Sequence, residues 1–155
     1  MTTKPALYRD LLLQAQGLFE GIHDPIANAA NLSALLWYGL PELNWAGFYI
    51  QRGDELLLGP FQGKPACVRI PMGKGICGTA AATRTTVIVA DVHQFAGHIA
   101  CDSASNAEIV VPLIAAGQLI GVLDLDSPNL ARFDDEDRHG LEALANAFVS
   151  GSDPF

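Results

Sequence analysis

The chain is poor in cations, poor in cysteine and has no long apolar run. Only 9 Lys and Arg face 17 Asp and Glu, a formal net charge of −8. The few cations are scattered, so no basic stripe tracks a phosphate backbone, and nucleic acid is excluded as a partner. No apolar stretch reaches the roughly 18–20 residues that span a bilayer, which excludes a membrane helix. The start, MTTKPALYRDLLLQAQGLF, lacks a cationic segment, an apolar core and a small-residue cleavage site, so the cytoplasm is the expected compartment. The three cysteines, Cys67, Cys77 and Cys101, cannot all pair within the chain, and a cytosolic setting argues against a purely structural disulfide. There is no C-x-x-C, and His23, His93, His98 and His139 share no ligand rhythm with the cysteines, so no metal site is expected. Phosphate-loop chemistry is excluded because FQGKPA has Pro65 where a hydroxyl is needed.

What is present is a chain of 155 residues, 50% hydrophobic, enough for one domain over 1–155 with a sizeable core. Thr3 and Pro5 open a helix carrying Leu7, Leu11, Leu12, Leu18 and Phe19, and Asp24 with Pro25 opens a second that Gly39 and Pro41 terminate. These form an N-terminal helical region over 1–41. From Asn44 the rhythm alternates: Trp45, Gly47 and Tyr49 take one strand face, Ala46, Phe48 and Ile50 the other. RGD at 52–54 is a turn into ELLLGPF. ACVRIPMG is a short extended piece, GICGTAAAT a short helix and TTVIVADV a strand. EIVVPLIAAGQLIGVLDLDS is a hairpin around Ala116-Gly117, completing a sheet with site loops over 44–128. A last helix, 133–149, has Asp134 and Asp135 at its N-terminal end and Leu141, Leu144, Ala145 and Phe148 on one face. The expected fold class is α+β, a mainly antiparallel sheet with N- and C-terminal helices packed on it.

Several motifs dissolve on inspection. GKGICG at 73–78 has the glycine spacing of a dinucleotide loop, but only Thr79 to Thr85 separate it from the next strand, too few for a parallel crossover. NLS at 31–33 lies within a helix and is no glycosylation site. Cys101 and His98 suggest a cysteine hydrolase, yet no third orienting residue or oxyanion hole accompanies them.

Other patterns carry more. In LDLD, 123–126, Leu123 and Leu125 point one way and Asp124 and Asp126 the other, so two carboxylates share a face. A solvated strand face would explain this equally well, but in a cavity such acids raise one another's pKa. Glu108 offers a third acid nearby. Trp45 and Tyr49, ordinary core aromatics by type, would with these acids form a pocket for a small ammonium-bearing, apolar-tailed molecule. HIACDSASNAEIV, residues 98–110, sets Cys101 among small polar residues, an unusual place for a residue that is normally buried.

The strings WAGFY, GPFQGKPACVRIP, GKGICGTAA, ADVHQFAGHIACDSASNAEIVVPL and IGVLDLDS closely resemble the free methionine-R-sulfoxide reductases, enzymes built on a single GAF domain. The resemblance covers Trp45 to Asp137. It implies that Cys101 is the nucleophile, with Cys67 as disulfide partner and Cys77 as an additional or alternative resolving thiol. It also implies a substrate pocket of Trp45, Tyr49, Glu108, Asp124 and Asp126, with no cofactor. Relatives with longer terminal helices leave homodimerisation through that helix open.

The chemistry asks for these residue types. A thiolate attacks the sulfoxide sulfur while the oxygen takes a proton, so an acid must stand beside the thiol. A carboxyl kept protonated by its neighbours serves, and Glu108, Asp124 and Asp126 are the candidates. The resulting sulfenic acid condenses with Cys67 or Cys77, and thioredoxin is the expected reductant. The other carboxylates would hold the α-ammonium of a free amino acid, with Trp45 and Tyr49 against the S-methyl end. His98 either biases Cys101 toward thiolate or caps its loop. The competing expectation is a non-catalytic GAF module that senses a small ligand, which would leave three cysteines and the clustered acids unexplained.

Overall fold

The computed structural model describes residues 1–99 and 103–155. Two helices open the chain, α1 (Lys4–Phe19) and α2 (Pro25–Gly39). Thr3 caps the first through a bond from the Ala6 amide, and Asp24 caps the second by accepting from the Ile26 and Ala27 amides. The strands are β1 (Trp45–Arg52), β2 (Glu55–Gly63), β3 (Arg69–Pro71), β4 (Val87–Val89), β5 (Ala107–Ala115) and β6 (Gln118–Ser127). Helix α3 (Gly75–Thr83) lies between β3 and β4, and α4 (Asp135–Gly151) closes the chain. The six strands form one sheet in the order β3-β2-β1-β6-β5-β4, each pair antiparallel. The α+β class expected from the sequence is the class observed.

The strand expected over TTVIVADV is short. Only Val87–Val89 pair with β5, because the Asp91 side chain accepts from the His93 amide at 3.0 Å and turns the chain into a 3-10 turn, Val92–Gln94.

Alternation along the strands divides the interior into two layers. Ala46, Phe48, Ile109, Val111, Leu113, Leu123 and Leu125 pack with Leu11, Leu32, Leu36, Leu144 and Phe148 of α1, α2 and α4. On the opposite face Trp45, Tyr49, Val110 and Val122 pack with Ile76, Cys77, Ala80 and Ala81 of α3. The first layer is the structural core. The second is thinner, covered by one short helix and connecting segments, and the candidate site lies within it.

A buried network fixes α4. Asp134 and Asp137 form a reciprocal capping box at its start. Asp137 is wholly buried and accepts from the Tyr8 hydroxyl at 2.7 Å and the Lys4 ammonium at 2.6 Å, with the Arg132 guanidinium 3.4 Å away. A buried carboxylate is tolerated because charge and donors surround it. Among the described residues, no helix is long and apolar enough to cross a membrane.

Candidate active site

Strand register assembles the acids. Glu108 of β5 stands opposite Asp126 of β6, and Asp126 stands opposite Trp45 of β1. Two residues along, Asp124 lies between Val110 and Gly47. Residues directly opposite in a ladder share a face, so Glu108, Asp124, Asp126 and Trp45 all project toward α3. Opposite Asp124, Gly47 lets β2 run so close that a β-carbon there would strike Phe61. Across the gap, the Cys77 thiol in the first turn of α3 donates to Glu108 Oε2 at 3.7 Å.

The aromatic wall is equally fixed. The Trp45 ring stacks on Tyr49, centroids 5.8 Å apart, and on Phe61 at 5.2 Å. Trp45 Nε1 donates to the Lys64 carbonyl at 3.2 Å and the Tyr49 hydroxyl to the Cys67 carbonyl at 2.8 Å. Both polar tips are thus satisfied by the segment that carries Cys67, which leaves the apolar ring surfaces for the pocket.

Burial dominates the electrostatics. Glu108 is pushed well above the usual carboxyl range, first by burial and then by the charges of Asp124 and Asp126. Burial raises Asp124 to about 6, against the opposing effect of hydrogen bonds with Glu108 and Cys77. Like-charge repulsion, the cause expected from the sequence, is therefore second to desolvation. Burial, then Asp124 and Glu108, raise the Cys77 thiol as well. The shift favours the neutral, protonated form of Glu108, while Asp124 stays mostly ionised at neutral pH and the Cys77 thiol stays neutral. Burial, followed by the nearby His93, lowers His98, so it contributes no fixed positive charge at neutral pH.

Trp45, Tyr49, Cys77, Glu108, Asp124 and Asp126 line a single cavity of about 50 Å³. Ile76, His98, Ile99, Ser105 and Lys74 line it too, and of these the sequence singled out only His98. Lys74 and Ser105 carry no sequence pattern, whereas the glycines around α3 marked its neighbourhood. Cys67 is disulfide-bonded, and Cys77 is a free, buried thiol. Cys101, the expected nucleophile, lies outside the described residues.

The fold and this pocket define a class: an α+β domain whose pocket combines buried carboxyl groups, aromatic rings and the Cys77 thiol. The GAF domain family model matches residues 31–150. The chain belongs to the GAF domain family and, within it, to the free methionine-R-sulfoxide reductases. It is 54% identical over 141 residues to the free methionine-R-sulfoxide reductase of Escherichia coli, covering 91% of this chain and 86% of that protein. The Saccharomyces cerevisiae protein of the same name is 46% identical over 150 residues, covering 92% and 83%. The crystal structure of free methionine-R-sulfoxide reductase from Neisseria meningitidis in complex with its substrate superposes with a TM-score of 0.94 at 46% identity, covering 97% of this chain and 91% of that one.

Proposed function

We propose that this protein reduces free L-methionine-R-sulfoxide to L-methionine in the cytoplasm, using Cys101 as nucleophile and Glu108 as proton donor. The observation that carries the reading is Glu108 buried beside Asp124 and Asp126, on the same sheet face as Trp45 and Tyr49, where burial raises its carboxyl well above the usual range. A sulfoxide oxygen leaves readily only when protonated, and a carboxyl held neutral by burial supplies that proton.

The Cys101 thiolate attacks the sulfoxide sulfur while Glu108 delivers its proton to the oxygen. The oxygen ends on Cys101 as a sulfenic acid and methionine departs, so the substrate sulfur is reduced and the cysteine sulfur oxidised. The Cys67 thiol then displaces water to form a disulfide, which the thioredoxin dithiol reduces. The disulfide-bonded state of Cys67 and the free thiol of Cys77 favour Cys67 over Cys77 as resolving residue.

Specificity for the free amino acid follows from charge. The carboxyl groups of Asp124 and Asp126 hold the α-ammonium, a group that a methionine within a peptide lacks. The Trp45 and Tyr49 rings take the S-methyl end, where sulfur meets aromatic surface favourably. Thioredoxin-coupled NADPH oxidation with each epimer tests the reading. Turnover of the free R epimer is expected; equal turnover of a sulfoxide-containing peptide contradicts the ammonium pocket, and no turnover of either free epimer contradicts the activity.

A further inference from the structure

Cys77 has no required place in this chemistry, yet its thiol stands among the acids. One ligand atom each of Cys77, Glu108 and Asp124 lie within 4.8 Å of one another, and all three residues are buried. We propose that these three side chains form a binding site for a thiophilic divalent cation such as Zn²⁺, which competes with the substrate's ammonium group. The competition rests on the proposed function; the binding does not.

The separation of Cys77 and Glu108 suits the ion. With zinc–sulfur bonds of about 2.3 Å and zinc–oxygen bonds of about 2.1 Å, two ligands on one tetrahedral zinc stand roughly 3.4–3.7 Å apart. Cys77 Sγ and Glu108 Oε2 are 3.7 Å apart. Independently, Asp124 Oδ1 is buried with no hydrogen-bond partner. Such an atom is costly unless something positive meets it. The cavity of about 50 Å³ has room for the ion and a water as fourth ligand. Cys77 gives up its proton as the metal–sulfur bond forms. The substrate's ammonium would need the same carboxylates, so the two ligands exclude each other.

Cd²⁺ titration of a reduced Cys67→Ser/Cys101→Ser double variant tests this, because Cys77 is then the sole thiol. A thiolate-to-cadmium charge-transfer band saturating at one equivalent is expected, with Zn²⁺ displacing the Cd²⁺. Asp124→Asn and, separately, Glu108→Gln should each weaken Cd²⁺ binding at least about tenfold, with folding verified by circular dichroism. Excess free methionine should lower the apparent Cd²⁺ affinity. Absence of the band, or a band unchanged in both acid variants, overturns the site; Cd²⁺ and methionine bound together overturn the competition. Turnover by the metal-free wild type reads the enzymatic function separately: its absence contradicts the reductase reading, while a Cys77 band still upholds the cation site.

Discussion

Glu108 of β5 and Asp126 of β6 face each other directly across an antiparallel ladder. Like charges in that position destabilise a sheet. Burial raises the Glu108 carboxyl well above its usual range, which favours the neutral form and relieves the repulsion. In the proposed mechanism this same carboxyl is the proton donor.

The donor role makes a pH prediction. Since Glu108 is raised, its active form is the protonated one, and the rate of methionine formation in a single turnover should fall as pH rises through that raised value. Glu108→Gln should lower the rate by about 10²–10⁴-fold and abolish this alkaline limb. A variant that retains the wild-type limb would assign the donor elsewhere.

Asp124 predicts a trade of stability for function. Its folded value of about 6 lies above that of an ordinary aspartate, so the folded state binds the proton more tightly than the unfolded state. Its contribution is favourable at low pH and is lost as pH rises through about 6, a change on the order of 3 kcal/mol. Denaturant unfolding of Asp124→Asn should therefore show a stability gain over wild type that grows from about pH 4 to neutrality. The same variant should bind substrate more weakly.

Trp45→Phe keeps an aromatic face toward Tyr49 and Phe61 but removes the bond to the Lys64 carbonyl and part of the wall. Steady-state kinetics should show KM rising several-fold with kcat nearly unchanged, the pattern of lost uniform binding. A fall confined to kcat would place Trp45 at the reacting atoms.

Tyr8→Phe serves as a control remote from the pocket. It removes one donor from buried Asp137 and should cost about 1.5–3 kcal/mol in urea unfolding. Specific activity of the folded protein should be unaffected.

Local pattern made much of this legible. Alternation from Trp45 to Ile50 assigned the aromatic face, LDLD put both aspartates on one side, and Asp24 and Asp134 marked helix starts, because strand and helix periodicity are properties of neighbouring residues. The acid row also needed the pairing of β5 with β6, which the hairpin at Ala116-Gly117 implied. The contact of Cys77 with Glu108, 31 residues away, and that of Tyr8 with Asp137, 129 away, follow from which elements pack together. No periodicity encodes such packing. For the same reason nothing in the sequence marks Lys74 and Ser105 as pocket residues.

The most direct measurement is methionine formed per chain when pre-reduced protein meets excess free methionine-R-sulfoxide without an external reductant. Wild type and Cys67→Ser should each release about one equivalent and stop, as expected when a sulfenic acid or disulfide has no reductant to recycle it. Cys101→Ser should release none. Methionine from Cys101→Ser, or none from wild type, would contradict attack by the Cys101 thiolate.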